Sequence, residues 1–176
     1  MKTIDLMEKA INFHGHSCPG LAIGVLVSKY ILENGSDFSL DEELVAVVEN
    51  DNCSVDAIQA LLGTTFGKGN LIHLDYGKNN FTFYNRTQEK AIKLAQKGRS
   101  MGSRDLSREE RLIHLLDSNP EDVFEIEKVA FKPPSMAQIH ESITCDVCGE
   151  ATMSTRIQHL NDKKLCIPCH EVEMNK

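Results

Sequence analysis

His14-Gly15-His16-Ser17-Cys18-Pro19-Gly20 sets two imidazoles and a thiol within one turn-forming stretch, directly ahead of the apolar run Leu21 to Leu32. Pro19 suits a first helical position, where its missing N–H would be unpaired anyway, so Cys18 falls at or near an N-cap. The helix dipole there favours a thiolate, the form that binds a metal or attacks an electrophile. The plainer alternative is a turn shaped by Gly15, Pro19 and Gly20, with solvated histidines and an inert buried thiol. Three ligand-type side chains this close together favour a functional site.

Working outward, residues 3–12 and 20–33 have helical patterns, the second apolar enough to be buried on most sides, and Gly35 offers a stop. Leu44 to Val48 is predicted as a buried strand. The polar run Glu49 to Asn52 then leads into a helix whose Val55, Ile58, Leu61 and Leu62 share one face, which puts Cys53 at a second helix N-terminus. Asp56 in its first turn suits the dipole, and is also placed to orient a ligand or act as a base. Gly63 to Asn70 is glycine-rich, but it is one residue short of a Walker A loop and has a helix before it and a strand after, which excludes nucleotide binding of that kind. It remains a turn or pocket-lining loop with Lys68 available to an anion.

Leu71 to Tyr76 and Phe81 to Tyr84 flank Gly77-Lys78-Asn79-Asn80 and are predicted to form a hairpin, with His73 and Asp75 on its outer face. Helices are expected at 87–97, ended by Gly98, and at 108–117, where Ser107 and Glu110 match a capping box. A last strand is expected over Val123 to Phe131, with a bulge near Lys128 where the alternation shifts.

A chain of 176 residues with 41% hydrophobic content supports one core domain and a small appendage. Its longest apolar run is too short to cross a bilayer, and Met1 to Ala10 carries Lys2, Asp5, Glu8 and Lys9, unlike a signal peptide. A cytoplasmic protein without membrane association is the expectation. The net charge of −7 argues against nucleic acid as the main partner. A basic run of Arg86, Lys90, Lys93, Lys97, Arg99, Arg104, Arg108 and Arg111 goes the other way; it is read as a solvated helical face, with steering of an anionic partner as the alternative.

Pro133-Pro134-Ser135 marks the strongest boundary. Residues 1–132 form an α+β core of mixed helices and sheet, 133–142 a proline-containing linker, and 143–176 a second unit. In that unit Cys145-Asp146-Val147-Cys148 and Cys166-Ile167-Pro168-Cys169 have the spacing that brings two pairs of thiolates around one tetrahedral ion, with structural Zn²⁺ the first choice and iron the alternative. So short a segment has too little core to fold unaided, and metal binding supplies the missing free energy. Disulfides are disfavoured in a cytosolic setting. The expected shape is a treble clef: a knuckle at Cys145, a hairpin, and a short helix beginning near Cys169. Arg156, Lys163, Lys164 and Lys176 are matched by Asp146, Glu150, Asp162, Glu171 and Glu173, so a structural or protein-contact role is preferred over nucleic-acid binding.

Taken together, Phe13-His14-Gly15-His16-Ser17-Cys18-Pro19-Gly20-Leu21, Asn52-Cys53-Ser54-Val55-Asp56-Ala57-Ile58-Gln59, Gly67-Lys68-Gly69-Asn70-Leu71 and Asp75-Tyr76-Gly77-Lys78 resemble the FmdE family of formylmethanofuran dehydrogenase proteins. The finger is similar to that of its longer members. The resemblance implies an α+β core with a treble-clef finger, an intertwined homodimer, and a place in one-carbon or methane metabolism beside a molybdenum or tungsten enzyme. It points to His14, His16, Cys18, Cys53 and Asp56 as the core cluster, with Lys68 near it. One departure is Thr64, where many relatives carry Cys.

Three functions compete. In the leading one, an enzyme or enzyme-associated protein uses Cys18 as thiolate, His16 as base or co-ligand and Cys53 as second ligand or resolving thiol. His14, His16, Cys18 and Cys53 are then candidate ligands of a core metal, Zn²⁺ or another transition ion, with one position open to substrate. The second is a non-catalytic adaptor that docks on a larger oxidoreductase through its finger. The third is a thiol switch formed by Cys18 and Cys53.

Overall fold

A computed structural model describes residues 2–98, 100, 102–103 and 105–175; Arg99 and Arg104 of the basic run and Lys176 of the finger lie outside the described residues. The chain divides into two compact units, Met1–Ala137 and Gln138–Lys176.

The first unit opens with helix α1 (Thr3–His14) and helix α2 (Pro19–Glu33). Gly15 ends α1 in the left-handed conformation, φ 94°, and its N–H reaches the Ile11 carbonyl. Cys18 is the N-cap of α2: its sulfur accepts the Leu21 N–H at 3.3 Å, with Pro19 in the first helical turn. Strand β1 (Leu44–Val48) follows, then helix α3 (Ser54–Leu62), strands β2 (Leu71–His73), β3 (Asn80–Asn85) and β4 (Lys90–Gln96), helices α4 (Arg108–Asp117) and α5 (Pro120–Val123), and strand β5 (Phe124–Val129). The expected capping box is present at α4, with Ser107 accepting from the Glu110 N–H and Glu110 from the Ser107 N–H.

The five-stranded sheet has the order β2-β1-β3-β4-β5. β1 pairs in parallel with β2, Ala46 opposite Leu71, and antiparallel with β3, Ala46 opposite Phe83. The predicted hairpin between Leu71–Tyr76 and Phe81–Tyr84 is therefore wrong, because those strands lie on either side of β1. The Leu74 N–H bonds the Val48 carbonyl and the Lys78 N–H the Glu49 carbonyl, which carries the chain around the end of β1. A turn signal shows that the chain reverses and says nothing about a third strand sliding between the arms; the buried, wholly apolar β1 needs a ladder on both edges.

The helix expected at 87–97 is also corrected. β4 makes a hairpin with β3, Phe83 opposite Ile92, through a turn with Glu89 at φ 51°, and its other edge pairs with β5, Leu94 opposite Ile126. The spacing of Ala91, Ile92, Leu94 and Ala95 fits either period, and two available ladders decide it. Lys90 and Lys93 consequently stand on a strand, not on a helical face. β5 pairs residue for residue with β4 from Phe124 to Val129, so the expected bulge near Lys128 is absent.

Two apolar clusters result. One lies between the sheet and α2, where Leu26, Ile31, Val48 and Leu94 pack around Phe81 and Phe124, whose rings meet edge-on at 6.3 Å. The other joins α1, α2 and α3 through Leu6, Met7, Ala10, Leu21, Ala57 and Leu61, and it includes Cys18. α2 and α3 approach very closely: a Cβ on Gly24 would sit 2.2 Å from the Ser54 carbonyl oxygen and 2.8 Å from the Ala57 Cβ.

The second unit consists of the hairpin β6 (Ser142–Thr144) and β7 (Ala151–Met153), a 3-10 turn over Ser154–Arg156, the hairpin β8 (Ile157–Leu160) and β9 (Lys163–Cys166), and helix α6 (Ile167–Met174). The helix begins earlier than expected, with Cys166 as its N-cap and Cys169 inside it. Only Cys145, Leu165 and Cys166 form its buried cluster. No described helix is long and apolar enough to cross a membrane.

Replacing Gly24 with Ala is expected to destabilise the first unit by about 1–3 kcal/mol through overpacking against the Ser54 carbonyl. Urea unfolding followed by circular dichroism measures this, with the α4 substitution Ser107→Ala, a lost cap worth about 1 kcal/mol, as the comparison.

Candidate metal centres

The end of α1, the Gly15 turn and the start of α2 bring His14, His16 and Cys18 together, with one ligand atom from each lying within 4.8 Å of the others. The two imidazole rings stand 4.4 Å apart between centroids. Cys18 is buried and His16 exposed, so the cluster spans from core to surface.

His14 is held from α3. Its Nδ1 lies 2.7 Å from Asp56 Oδ2, and its side chain is only 11% exposed. Gln59 donates to the other Asp56 oxygen at 3.5 Å and accepts the Phe66 N–H at 3.2 Å, which ties the carboxylate to the loop that follows α3. With the Nδ1 proton donated to Asp56, Nε2 carries the lone pair. That Nε2 atom is buried and has no hydrogen-bond partner among the described residues. Burying such an atom unpaired costs about 1–3 kcal/mol.

Cys53 precedes α3 in helical conformation and does not cap it; Asn52 does, accepting the Ser54 N–H at 2.9 Å. Burial pushes the Cys53 thiol above its ordinary range, and a hydrogen bond with Cys18 pushes it further. Cys53 thus packs against Cys18 but lies outside the mutually close set of His14, His16 and Cys18. Lys68 is engaged elsewhere: its ammonium donates to the Ser39 and Leu40 carbonyls at 2.8 and 3.2 Å. Beside it, the Asp41 N–H and the Ser39 hydroxyl hold the Glu43 carboxyl below the usual range, with Lys68 adding to the effect. Thr64 is fully buried, and its hydroxyl has no partner among the described residues. His73 and Asp75 are exposed, as their alternation suggested.

The sequence reading missed three residues. Gln59, one turn after Asp56, was signalled by helical spacing. Asn70 is fully buried and donates to the Asp41 and Leu44 carbonyls, both at 2.9 Å, while accepting the Thr65 N–H at 2.9 Å; nothing in the sequence marked it. Gly24 stood in view as a small residue four positions after Gly20, on the same helix face.

In the second unit the sulfurs of Cys145, Cys148, Cys166 and Cys169 all lie within 4.8 Å of one another. The Cys166 N–H donates to Cys145 Sγ at 3.3 Å. Backbone N–H groups of Cys148, Cys166 and Val147 lower the Cys145 thiol to about 6, so the knuckle is built for a thiolate. Four soft sulfur donors at this spacing fit Zn²⁺ in a closed structural site.

A sequence model described as "FmdE, Molybdenum formylmethanofuran dehydrogenase operon" matches residues 13–143. The chain belongs to the FmdE family. Residues 141–173 of this FmdE-family chain also match the prokaryotic dksA/traR C4-type zinc finger. A curated relative, a "Probable S-adenosyl-L-methionine-binding protein" of Archaeoglobus fulgidus, is 32% identical over 198 residues that cover 96% of the chain and 53% of the relative. The chain therefore spans about half that relative's length. The crystal structure of an FmdE-like protein of the tungsten formylmethanofuran dehydrogenase type, from Syntrophus aciditrophicus, superposes with a TM-score of 0.72 at 24% identity, covering 96% of this chain and 91% of that one. The likeness is one of fold.

Removing zinc with a chelator is expected to unfold residues 138–175 while the first unit keeps its structure, since the finger's apolar cluster is too small to hold without metal. Amide hydrogen exchange on the full chain reads both units at once: protection is lost in β8, β9 and α6 and retained in α2 and β1.

Proposed function

We propose that the first unit carries a second metal centre, held by His14 Nε2, an imidazole nitrogen of His16 and Cys18 Sγ with one coordination position open. In this reading the protein is an oxidoreductase-associated metal protein of one-carbon metabolism. The observation that supports it is His14: a buried imidazole fixed through Nδ1 to a carboxylate, with the opposite nitrogen left without a partner, is the arrangement of a metal-binding histidine and its outer-shell carboxylate.

Each side chain then has a distinct part. Asp56 keeps the His14 proton on Nδ1 and so keeps Nε2 available, and Gln59 fixes the carboxylate. Cys18 supplies the anionic donor, stabilised by the Leu21 N–H at the start of α2. His16, exposed beside them, completes the set from the solvent side. Lys68 takes a positioning role by holding the Ser39 and Leu40 carbonyls. Two imidazoles and one thiolate suit Zn²⁺ or a similar transition ion, which when bound supplies Lewis acidity at the open position. Two imidazoles beside a sulfur that is only 6% exposed favour a ligand role for Cys18 over that of a free nucleophile.

The family's description as part of a molybdenum formylmethanofuran dehydrogenase operon supports a place beside a molybdenum or tungsten enzyme. The zinc finger, read as a treble clef without basic excess, is then the docking module, and assembly as a homodimer belongs to the same proposal.

Metal analysis of the full chain tests this reading. Two metals per chain are expected in the wild type, falling to one in Cys18→Ser and in His14→Ala, while one metal per chain in the wild type overturns the core site. Asp56→Asn is expected to weaken the core site by about 10–100-fold and leave the finger's metal untouched, measured by competition with a chromogenic chelator.

A further inference from the structure

Cys18 faces a second sulfur that the proposed metal centre does not use. A Cβ built on Gly20 would lie 3.8 Å from Cys53 Sγ and 3.9 Å from Cys18 Sγ, so both sulfurs border the same small space beside the first turn of α2. They pack together in the cluster between α1, α2 and α3, and both are free thiols. The close crossing of α2 and α3 fixes this juxtaposition, which holds the pair at high effective concentration. Cys53 is partly exposed and Cys18 buried, so a small oxidant reaches the pair from the Cys53 side.

We propose that Cys18 and Cys53 form a redox-modification site, an intramolecular disulfide that closes only when Cys18 is off the core metal, with a hydroperoxide as oxidant. This rests on the metal reading given above. Cys18 Sγ takes one oxygen from hydrogen peroxide, giving a sulfenic acid and water. Cys53 Sγ then attacks the Cys18 sulfur; the S–S bond forms, the S–O bond breaks, and the oxygen leaves as a second water carrying the Cys53 proton. Two thiols are oxidised and one peroxide is reduced. A sulfur in a disulfide no longer serves as a thiolate ligand, so metal and disulfide exclude each other, and the oxidised site keeps only its two imidazoles.

The test treats full-length protein, metal-stripped or zinc-loaded, with hydrogen peroxide, and maps tryptic peptides by mass spectrometry. Residues 10–29 and 30–68 contain Cys18 and Cys53 and are cut apart from the finger's cysteines. The expected result is a cross-link between these two peptides in stripped protein that dithiothreitol reverses. Zinc at about 100 times its Kd slows its formation about 100-fold, because only the metal-free fraction reacts. Cys53→Ser is expected to keep two metals and to lose the cross-link, with Cys18 oxidised irreversibly instead. Sulfinic acid at Cys18 without a cross-link in the wild type overturns the proposal, as does Cys53→Ser binding only one metal, which makes Cys53 a ligand. A wild type with one metal overturns the metal reading and the gating with it, and the joined peptides still show whether the two sulfurs pair.

Discussion

The α2–α3 crossing at Gly24 is the constraint on which the core site depends. The Ser54 carbonyl occupies the place where any side chain at residue 24 would begin, so the two helices meet backbone to backbone. That contact sets the height of α3 against α2, and with it the positions of two groups on the first turn of α3 or just before it. Cys53 arrives against Cys18, and Asp56 arrives within 2.7 Å of His14. A wider crossing would leave the histidine without its carboxylate. A small residue on one helix thus governs contacts at a distance from itself.

From this packing follows a fixed protonation pattern. Asp56 accepts from Nδ1, which fixes the imidazole tautomer and points the lone pair of Nε2 into a buried space shared with Cys18 and His16. Gln59 and the Phe66 N–H extend the chain of hydrogen bonds into the loop after α3, so the ligand is oriented by a network and not by one contact. Cys53, pushed up by burial, adds a protonated sulfur next to the set without joining it.

The local parts of this design were legible in the sequence. Helix starts at Pro19 and Ser107, the strand at Leu44, the thiol pairs of the finger and the His–Cys cluster each depend on residues a few positions apart, where period, capping and spacing act directly. What failed was non-local. The pairing of β1 between β2 and β3 overrode the turn at Gly77, and the strand at Lys90–Gln96 exists because two neighbours offer ladders, a fact no window of sequence contains. The same limit applies at the site: the sequence named His14 and Asp56 separately but not their hydrogen bond, and it grouped Cys53 with the ligands when the fold sets it beside them.

The two candidate metal sites stand in different relations to folding. The finger buries little besides its own ligands and Leu165, so its ion and its fold are one equilibrium. The core site sits at the edge of an apolar cluster complete in itself, where Leu6, Met7, Leu21 and Leu61 pack without help from any ion. Loss of metal there leaves the scaffold standing, with His14 still held by Asp56 and Cys18 still receiving the Leu21 N–H. A site prepared by the fold in this way can exchange its occupant, because the ordering cost of the ligands has been met by packing before the ion arrives. The same scaffold keeps the second sulfur in place when the ion departs, so the fate of Cys18 in the empty site is decided by geometry that the metal never set.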